Sequence, residues 1–526
     1  MGPDTSLRIA LGVAAVIMST LQPNVAAAQG PTTSPPAVTA PMRTLSPAEL
    51  AEDLAVLRKA YETIHPGLYR YASREEIAAR FDALASEFAT ERTLADAYLA
   101  LSRFASTIRC GHTHTNFYNQ PKAVVDALFL GRTRVPFRFR WIDGRMIVTG
   151  TFDASIPLAA GDEIVTMGGL SVRDLLAGLM PYARADGSND AKRVRQFEVT
   201  GEDRWEAFDI FMPLVFPAIV RDAAGAPRER LALMVRGADG ERRVDVPLMT
   251  HDEREHAKAA AGMADSLPSK DAPAWTLDVA ADAAVLRMPT WALYNSAWDW
   301  KGFLDRSIDE LIAKRIPLLV VDLRGNEGGL DCGDALLARL VDREVTLDAY
   351  ERWARYRTVP ADLHPYLDTW DDSFRDLSKD ALDAANGRTR EGYVFVPREG
   401  GGANRTIAPR GERYTGRVVV LVDAANSSAT FQFAQSVKKA GLGTLVGQPT
   451  GGNRRGINGG AFFFLRLPNS KIELDLPIYA YFLPNDGRPE EPDAGIVPDL
   501  VVTPSVDDIR KGVDAEMRAA KGAGRK

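Results

Sequence analysis

The chain has 526 residues, 45% of them hydrophobic and 25% charged, which is the composition of an ordinary globular protein with room for more than one hydrophobic core. Its net charge of −6 gives no electrostatic basis for binding nucleic acid or an anionic membrane surface, so we expect neither partner. Beyond the N-terminus no apolar run is long enough for a transmembrane helix, and we expect no membrane span.

Residues 1–28 have the pattern of a secretory signal peptide. Arg8 precedes the apolar run Ile9 to Met18, which is too short to span a membrane, and a series of small residues ends at Ala28. This pattern predicts cleavage after Ala28 and export to the periplasm or out of the cell. No cysteine lies near that point, so a lipid anchor is not expected. Residues 29–44, rich in Pro, Ser and Thr, are typical of a linker.

Residues 45–116 are predicted to form a helical domain. Apolar residues recur every three or four positions over three stretches, which are Pro47 to Tyr61, Ile77 to Phe88 and Leu94 to Ile108. His65 follows the first stretch, and we expect it to contact the end of that helix and not to take part in catalysis.

Residues 117–249 alternate between apolar and polar positions and are predicted to be rich in β-strands. They contain Leu158 to Val172, which resembles the G-D-x-I core of PDZ-like domains. The resemblance implies a fold that holds an extended peptide as an added strand, although a PDZ-like spacer without a binding groove is an equal alternative. The charged residues 250–274 are predicted to link this region to the next domain.

A buried strand followed by paired glycines is the most informative feature of residues 275–510. Leu318 to Val321 is apolar at consecutive positions, as a strand covered on both faces should be. Gly328 and Gly329 come soon after it and let the backbone approach a reacting group. They are predicted to donate amide groups to an oxyanion, the alternative being a tight turn only.

A second apolar strand, Arg417 to Val422, is followed by a serine at the start of a helical segment. Ser428 precedes Ala429 to Lys439, so its hydroxyl should be exposed, and the unpaired first N–H groups of the helix, including that of Ala429, can stabilise negative charge. Ser427 is then the helix N-cap, although sequence alone could exchange the two serines. A capping role only is the alternative for Ser428.

The motifs DLRGNEGG, NSSAT, TLVGQPTGG and AGIVPDLVV, in this order, resemble the catalytic domain of the C-terminal-processing, or tail-specific, serine peptidases. The resemblance runs from about Ala284 to Val502. It implies an α/β fold of the crotonase-like or ClpP-like kind with Ser428 as nucleophile and no cofactor or metal. Residues 342–414 interrupt the pattern and are expected to cover or gate the site. Residues 511–526 are predicted to be a polar tail.

The general base is the point at which the chain departs from the family pattern. The serine–lysine branch carries a lysine after the GxPTxG turn, but Asn453 stands there, 25 residues after Ser428 (453 − 428). The segment Ile108 to His114 resembles the D-G-H-T motif of the tricorn-like and interphotoreceptor-retinoid-binding-protein-like branch, in which a histidine replaces the lysine. That role maps to His112, since a neutral imidazole can accept and return a proton. A structural histidine, or a metal ligand together with His114, are the alternatives.

A carboxylate that orients the histidine is implied by the same branch, in which a Glu lies shortly before the G-[IV]-x-P-D turn. Glu490, Glu491 and Asp493 precede that turn here, none at the family spacing, and Glu491 is our choice. Cys110 and Cys332 each lie beside a proposed catalytic element. In an exported protein they could form a disulfide, or they could be unpaired packing residues.

These observations together predict an exported serine peptidase that acts on peptides or unfolded proteins. Its Ser-His-carboxylate site would be assembled from the helical domain and the catalytic domain. Two other functions stay open, which are a catalytically silent module that binds apolar ligands or peptides, and an esterase or amidase acting on a small metabolite. The sequence does not define the cleavage preference or the oligomeric state.

Overall fold

Three helices occupy the three N-terminal stretches in which the apolar spacing predicts them. The computed structural model describes residues 43–523, apart from 204, 264–274, 295, 348–349, 398–404 and 485–489, so the predicted signal peptide lies outside the described residues. Ser46, Ser73 and Thr93 each cap a helix together with the acidic residue three positions on. The elements are β1 (Thr44–Leu45), α1 (Pro47–Ile64), α2 (Arg74–Glu87), β2 (Arg92–Thr93), α3 (Leu94–Thr107) and α4 (Lys122–Leu128).

An antiparallel sheet with helices around it follows. Its strands lie in the order β3-β4-β5-β7-β8, with β6 paired to β5. The alternating pattern predicts these strands but does not predict the helices between β6 and β7. The elements are β3 (Phe137–Ile142), β4 (Arg145–Thr151), β5 (Glu163–Met167), β6 (Leu170–Ser171), α5 (Val172–Leu179), α6 (Asp190–Gln196), α7 (Ala207–Val215), α8 (Pro217–Val220), β7 (Arg230–Gly237), β8 (Gly240–Pro247) and α9 (His251–Ala260).

Helix α9 lies in the segment that the charge pattern assigns to a linker. Arg254 on this helix is 1% exposed and forms ion pairs with Glu206 and Asp209. A buried arginine held by two carboxylates needs a fixed partner surface. The first part of the predicted linker is therefore a packed helix, and residues 264–274 lie outside the described part.

The C-terminal half contains two larger sheets, a two-stranded sheet formed by β12 and β16, and the helices that cover them. In chain order the elements are β9 (Thr276–Val279), β10 (Ala284–Arg287), α10 (Trp300–Ala313), β11 (Leu318–Asp322), α11 (Cys332–Leu337), β12 (Val345–Leu347), β13 (Glu351–Ala354), β14 (Leu367–Asp368), β15 (Val394–Phe395), β16 (Arg405–Ile407), β17 (Arg417–Val422), α12 (Ser428–Lys439), β18 (Thr444–Gly447), β19 (Asn458–Arg466), β20 (Glu473–Phe482), β21 (Leu500–Val501), α13 (Val506–Arg510) and α14 (Ala515–Gly522).

The first of these sheets has the order β21-β18-β17-β11-β10-β9, and only β9 runs antiparallel to its neighbour. Every residue of β11 is buried, which confirms the prediction of a strand covered on both faces. Leu319 and Val321 pack into the core beneath α10 to α12, whereas Leu318 and Val320 pack with Ala520 of α14. The predicted polar tail thus contains a helix that covers the second face of the sheet.

The other larger sheet has the order β14-β19-β20-β13-β15, and three of its strands come from residues 342–414. The segment that is predicted to cover or gate the site therefore contributes three short strands to this sheet. Apolar residues of this sheet share one continuous core with the N-terminal helices and with the sheet of β3 to β8. This shared core brings the segment after α3 against β19.

Both cysteines are buried and unpaired, so Cys110 and Cys332 do not form the disulfide that the sequence allows. Across the described residues no helix combines the length and the apolar character that crossing a membrane requires.

Candidate functional site

Two loops meet at one edge of the parallel sheet because β11 and β17 are parallel neighbours, with Asp322 opposite Leu421. Loops that follow such strands leave the sheet at the same edge, where α/β proteins place ligands. Asn426 fastens the second loop to the first, since its Nδ2 donates to the carbonyl oxygens of Leu323 at 2.6 Å and of Asn326 at 3.0 Å. Both asparagines are fully buried. The loops are thus held by side-chain amides as well as by the sheet.

Ser428 is the first residue of α12 and has a φ of +51°, a left-handed conformation that costs a residue other than glycine about 1–3 kcal/mol. The loop 423–427 connects β17 to this residue, from which the helix continues. Ser428 is partly exposed. Its hydroxyl has no hydrogen-bond partner among the described residues. The arrangement presents a free hydroxyl at the N-terminus of a helix.

Ser427 has a different environment, although it stands next in the chain. It occupies the N-cap position as predicted, but its side chain does not accept a hydrogen bond from the helix. The Ser427 side chain is buried, and its Oγ donates to the carbonyl oxygen of Glu327 at 3.1 Å. The two serines, which sequence alone could exchange, differ in exposure and in hydrogen bonding, and only Ser428 offers an unused hydroxyl.

The paired glycines lie directly against the turn that carries Ser428. A Cβ atom on Gly328 would lie 2.9 Å from the carbonyl oxygen of Ser427 and 3.0 Å from the amide nitrogen of Ala429. The Gly328 amide donates to Asn326 Oδ1 at 2.9 Å, so this predicted oxyanion donor is already occupied. The amides of Gly329 and Ala429 donate to no acceptor among the described residues.

The segment that contains His112 is held by the two buried threonines that flank His114. Thr113 Oγ1 lies 2.7 Å from His65 Nε2, and Thr115 Oγ1 lies 2.5 Å from Ser102 Oγ on α3. His65 is the C-cap of α1, which confirms the predicted helix-end contact. Because both threonines are buried and bonded to the helical region, the position of His112 depends on that region.

The imidazole of His112 lies beside β19. Its ring atoms are 3.5 to 3.7 Å from a Cβ built on Gly459, and its centroid is 5.7 Å from that of Phe462. The Nδ1 atom is buried and has no hydrogen-bond partner among the residues that the structure describes. No hydrogen bond among the described residues joins His112 to Ser428.

The charge on His112 is controlled by burial and by four nearby ionic groups. Burial of the imidazole lowers the pKa of His112 below its ordinary value of 6.5. Asp186 and Glu327 act against this shift of the pKa, whereas Arg184 and Lys192 reinforce it. His112 is therefore neutral at neutral pH, the state in which an imidazole can accept a proton.

The carboxylate chosen from the sequence lies in a separate ion pair. Glu491 Oε2 is 2.5 Å from Arg454 Nη2, and no hydrogen bond or ion pair among the described residues joins Glu491 to His112. Asp186 lies closer to the histidine segment, because its Oδ1 accepts a hydrogen bond of 2.9 Å from the amide of Gly111. The sequence motifs do not point to Asp186, since it lies far from them in the chain.

Asn453 occupies the position of the family lysine and is fully buried. Its Nδ2 donates to Asp493 Oδ1 at 2.6 Å and to the carbonyl oxygen of Asp186 at 3.1 Å. An amide that makes these contacts is a structural link between two loops. An amide cannot accept the proton of a serine, so Asn453 does not replace the lysine base, which agrees with the sequence analysis.

Lys192 of α6 is a site residue that the sequence does not reveal. Its side chain is 2% exposed, and its Nζ lies 2.5 Å from Glu327 Oε1 and 3.4 Å from Ser427 Oγ. No motif surrounds Lys192, and a helix of only seven residues between β6 and β7 gives no sequence signal of its own. Only the tertiary fold brings it to the serine turn.

A cavity of about 270 Å³ opens beside the same turn. Glu327, Gly328 and Ala425 line one side of it, and the segment of His114 and the residues before α7 line the other. Aromatic side chains and the guanidinium groups of Arg184 and Arg195 share its wall. The described residues contain no group of three or more His, Cys, Asp or Glu side chains that could hold a metal ion.

Comparison with known proteins identifies the region that carries the serine turn and the paired glycines. The family model for peptidase family S41 matches residues 282–502. A structure of mature CPAF complexed with lactacystin aligns with a TM-score of 0.57 and 16% identity, covering 90% of this chain and 98% of that chain. Mature CPAF alone aligns with a TM-score of 0.56 and 16% identity over 91% and 99% of the two chains. At this identity the likeness to CPAF shows a common fold.

The photosystem II D1 C-terminal processing protease aligns with a TM-score of 0.39 and 14% identity, covering 89% of this chain and 98% of that chain. No curated protein sequence matches the chain.

Proposed function

We propose that this chain, a serine peptidase of family S41 across residues 282–502, hydrolyses peptide bonds through Ser428, His112 and a carboxylate contributed by different regions of the chain. The observation that carries the proposal is the conformation of Ser428. A φ of +51° in a residue other than glycine is costly, and it leaves an unused hydroxyl at a helix N-terminus. Strain of this kind is typical of functional positions.

In the proposed reaction the Ser428 hydroxyl attacks the carbonyl carbon of the peptide bond. His112 accepts the hydroxyl proton and later returns it to the leaving amine, and water then hydrolyses the acyl-enzyme. Catalysis requires the imidazole within about 2.6 to 3.2 Å of the hydroxyl, so substrate binding must bring these groups into hydrogen-bond contact. The lowered pKa of His112 supports this role because the neutral imidazole is the base.

The oxyanion of the tetrahedral intermediate is proposed to bind the amides of Gly329 and Ala429. Both amides are unused among the described residues, and the dipole of α12 favours negative charge at its N-terminus. Gly328 contributes by its lack of a side chain, since a Cβ there would meet the serine turn.

The orienting carboxylate is proposed from two candidates. Glu491 is the sequence choice, and it must leave Arg454 before it can act on His112. Asp186 already contacts Gly111, the neighbour of His112, and its charge raises the pKa of that histidine. This contact favours Asp186, and the two carboxylates can be compared directly by amide substitution.

The substrate class that we propose is a peptide or an unfolded protein. The cavity beside Gly328 is large enough for a side chain next to the cleaved bond. Residues 117–249 are proposed to be PDZ-like and to hold an extended peptide strand, which the order β3-β4-β5-β7-β8 and the helix α5 after β6 support. Export to the periplasm or the medium is proposed from the pattern of residues 1–28 alone.

Hydrolysis of a peptide library, an unfolded protein and a set of small esters by the full chain tests this function. Ser428→Ala should abolish hydrolysis while changing the thermal midpoint little, because a partly exposed serine contributes little packing. Ser427→Ala is the comparison variant and should still hydrolyse, although at a reduced rate, because it keeps the nucleophile and removes only the contacts of Ser427 Oγ with Lys192 and with the carbonyl oxygen of Glu327. A preference for esters would instead favour the metabolite esterase, and a chain without any hydrolysis would favour the silent binding module.

A further inference from the structure

Lys192 lies outside the region that matches the peptidase family, yet its ammonium group touches the serine turn. We propose that Lys192 is a positioning residue that holds the loop after β11 against the turn before α12 and so fixes the Ser428 hydroxyl. This inference rests on the proposed role of Ser428. It adds a residue that neither the motifs nor the family match contains.

The backbone of α6 is anchored to the catalytic domain at its first turn. Asn189, its N-cap, accepts a hydrogen bond from the amide of Lys192 at 3.2 Å. The same side chain donates through Nδ2 to the carbonyl oxygens of Thr450 and Gly452, both at 2.9 Å. Lys192 therefore extends towards the serine turn from a helix whose first turn is bonded to the loop of Thr450 and Gly452.

The three donors of the ammonium group meet three acceptors. Nζ lies 2.5 Å from Glu327 Oε1, 3.1 Å from the carbonyl oxygen of Ala425 and 3.4 Å from Ser427 Oγ. Because Ser427 Oγ already donates to the carbonyl oxygen of Glu327, it accepts from Lys192. This pattern fits the protonated amine, which has three donors and no acceptor. Burial lowers the pKa of Lys192, and the carboxylate of Glu327 acts against this shift. Lys192 thus holds the site and does not act as its base.

The loss of Lys192 should affect the turn more than the carboxylate. The Glu327 side chain is 47% exposed, so water can solvate it when its partner is removed. The carbonyl of Ala425 and the hydroxyl of Ser427 are buried and would lose a donor. These two groups lie three and one residues before Ser428, so their relaxation displaces the nucleophile.

The charge of Lys192 also acts on the proposed base. Burial is the main cause of the lowered pKa of His112, and the positive charges of Arg184 and Lys192 lower it further. Asp186 and Glu327 raise it, and His114 also lies within electrostatic range. A neutral residue at position 192 removes one positive charge and leaves Glu327 less compensated, so both changes raise the pKa of His112.

The test uses Lys192→Met in the full chain. Lys258→Met is the matched control, because Lys258 on α9 is a lysine whose side chain is also 2% exposed. The rate of fluorophosphonate labelling is measured from pH 5 to pH 9, and the titration of His112 is followed by NMR in a Ser428→Ala background. We expect the plateau rate of Lys192→Met to fall about tenfold or more and its acid limb to move to higher pH. Lys258→Met should keep the acid limb of the wild type.

Lys192→Arg should restore the position of the acid limb, since it keeps the charge. Lys192→Gln, which keeps two donors without the charge, serves if the Met variant does not fold, and it should show the same upward shift. An unchanged plateau rate together with an unchanged His112 titration in the folded variant would overturn the inference. A wild-type chain that the probe does not label would refute the proposed function instead, and the NMR titration would still report whether the Lys192 charge reaches His112.

Discussion

Substitution of Gly328 by alanine should slow acylation of Ser428 by more than the backbone strain of alanine at a positive φ would by itself. The new Cβ would lie 2.9 Å from Ser428 Cβ and from the carbonyl oxygen of Ser427, whereas ordinary contact begins at 3.4 Å, so the turn must retreat by 0.5 Å (3.4 − 2.9). A displacement of about 1 Å in a reacting group can cost about a hundredfold in rate. Half of that displacement predicts a loss of about tenfold.

Gly240→Ala is the matched control because Gly240 has a φ of +110°, close to the +104° of Gly328, and no atom lies within 4 Å of its added Cβ. Both variants carry the strain of alanine at positive φ, about 1–3 kcal/mol, and only one presses on the serine turn. Fluorophosphonate labelling rates and thermal unfolding are measured for both. Equal labelling rates in the two variants would refute the proposed contact between Gly328 and the nucleophile.

Three further changes test other parts of the site. His112→Ala should abolish labelling of Ser428. In the wild type the labelling rate should fall only as the pH drops through a value below 6.5, because burial lowers the pKa of His112. A labelling rate that rises only in alkaline solution would contradict this prediction. Asp186→Asn should reduce kcat more than Glu491→Gln in a steady-state assay, and the opposite order would restore the sequence choice. Asn326→Ala should lower the free energy of unfolding by at least about 1–3 kcal/mol in urea denaturation, because it leaves the buried amide of Gly328 without its acceptor and the carbonyl oxygen of Met288 without its donor; a smaller change would contradict this role of Asn326.

The elements that carry the proposed nucleophile were predictable because their signals are local. The apolar runs of β11 and β17 and the helical composition of α12 each lie within a few residues of the groups that they position. Periodicity in such short windows determines strand and helix directly. The same reasoning predicts α1 to α3 and the end of α1 at His65.

The remaining parts of the site depend on contacts between distant segments. Lys192 and Asp186 reach the histidine and the serine turn through tertiary packing, and no spacing in the sequence records that proximity. The sequence also does not show that the Gly328 amide donates a hydrogen bond to Asn326. Nor does it show which of the two serines, Ser427 or Ser428, is buried. The sequence does not predict that helix α9 packs against the fold, because its charged composition is typical of a solvated segment. Arg254 is buried here together with its two carboxylate partners, which come from other parts of the chain.

Mapping of a fluorophosphonate adduct by peptide mass spectrometry tests the central claim most directly. The full-length wild type should carry one adduct, on Ser428, and the adduct should disappear in Ser428→Ala and in His112→Ala but persist in Ser427→Ala. These results would follow from an unused hydroxyl at φ +51° and a histidine base. An adduct on Ser427, or labelling of Ser428 at the wild-type rate in His112→Ala, would contradict the account.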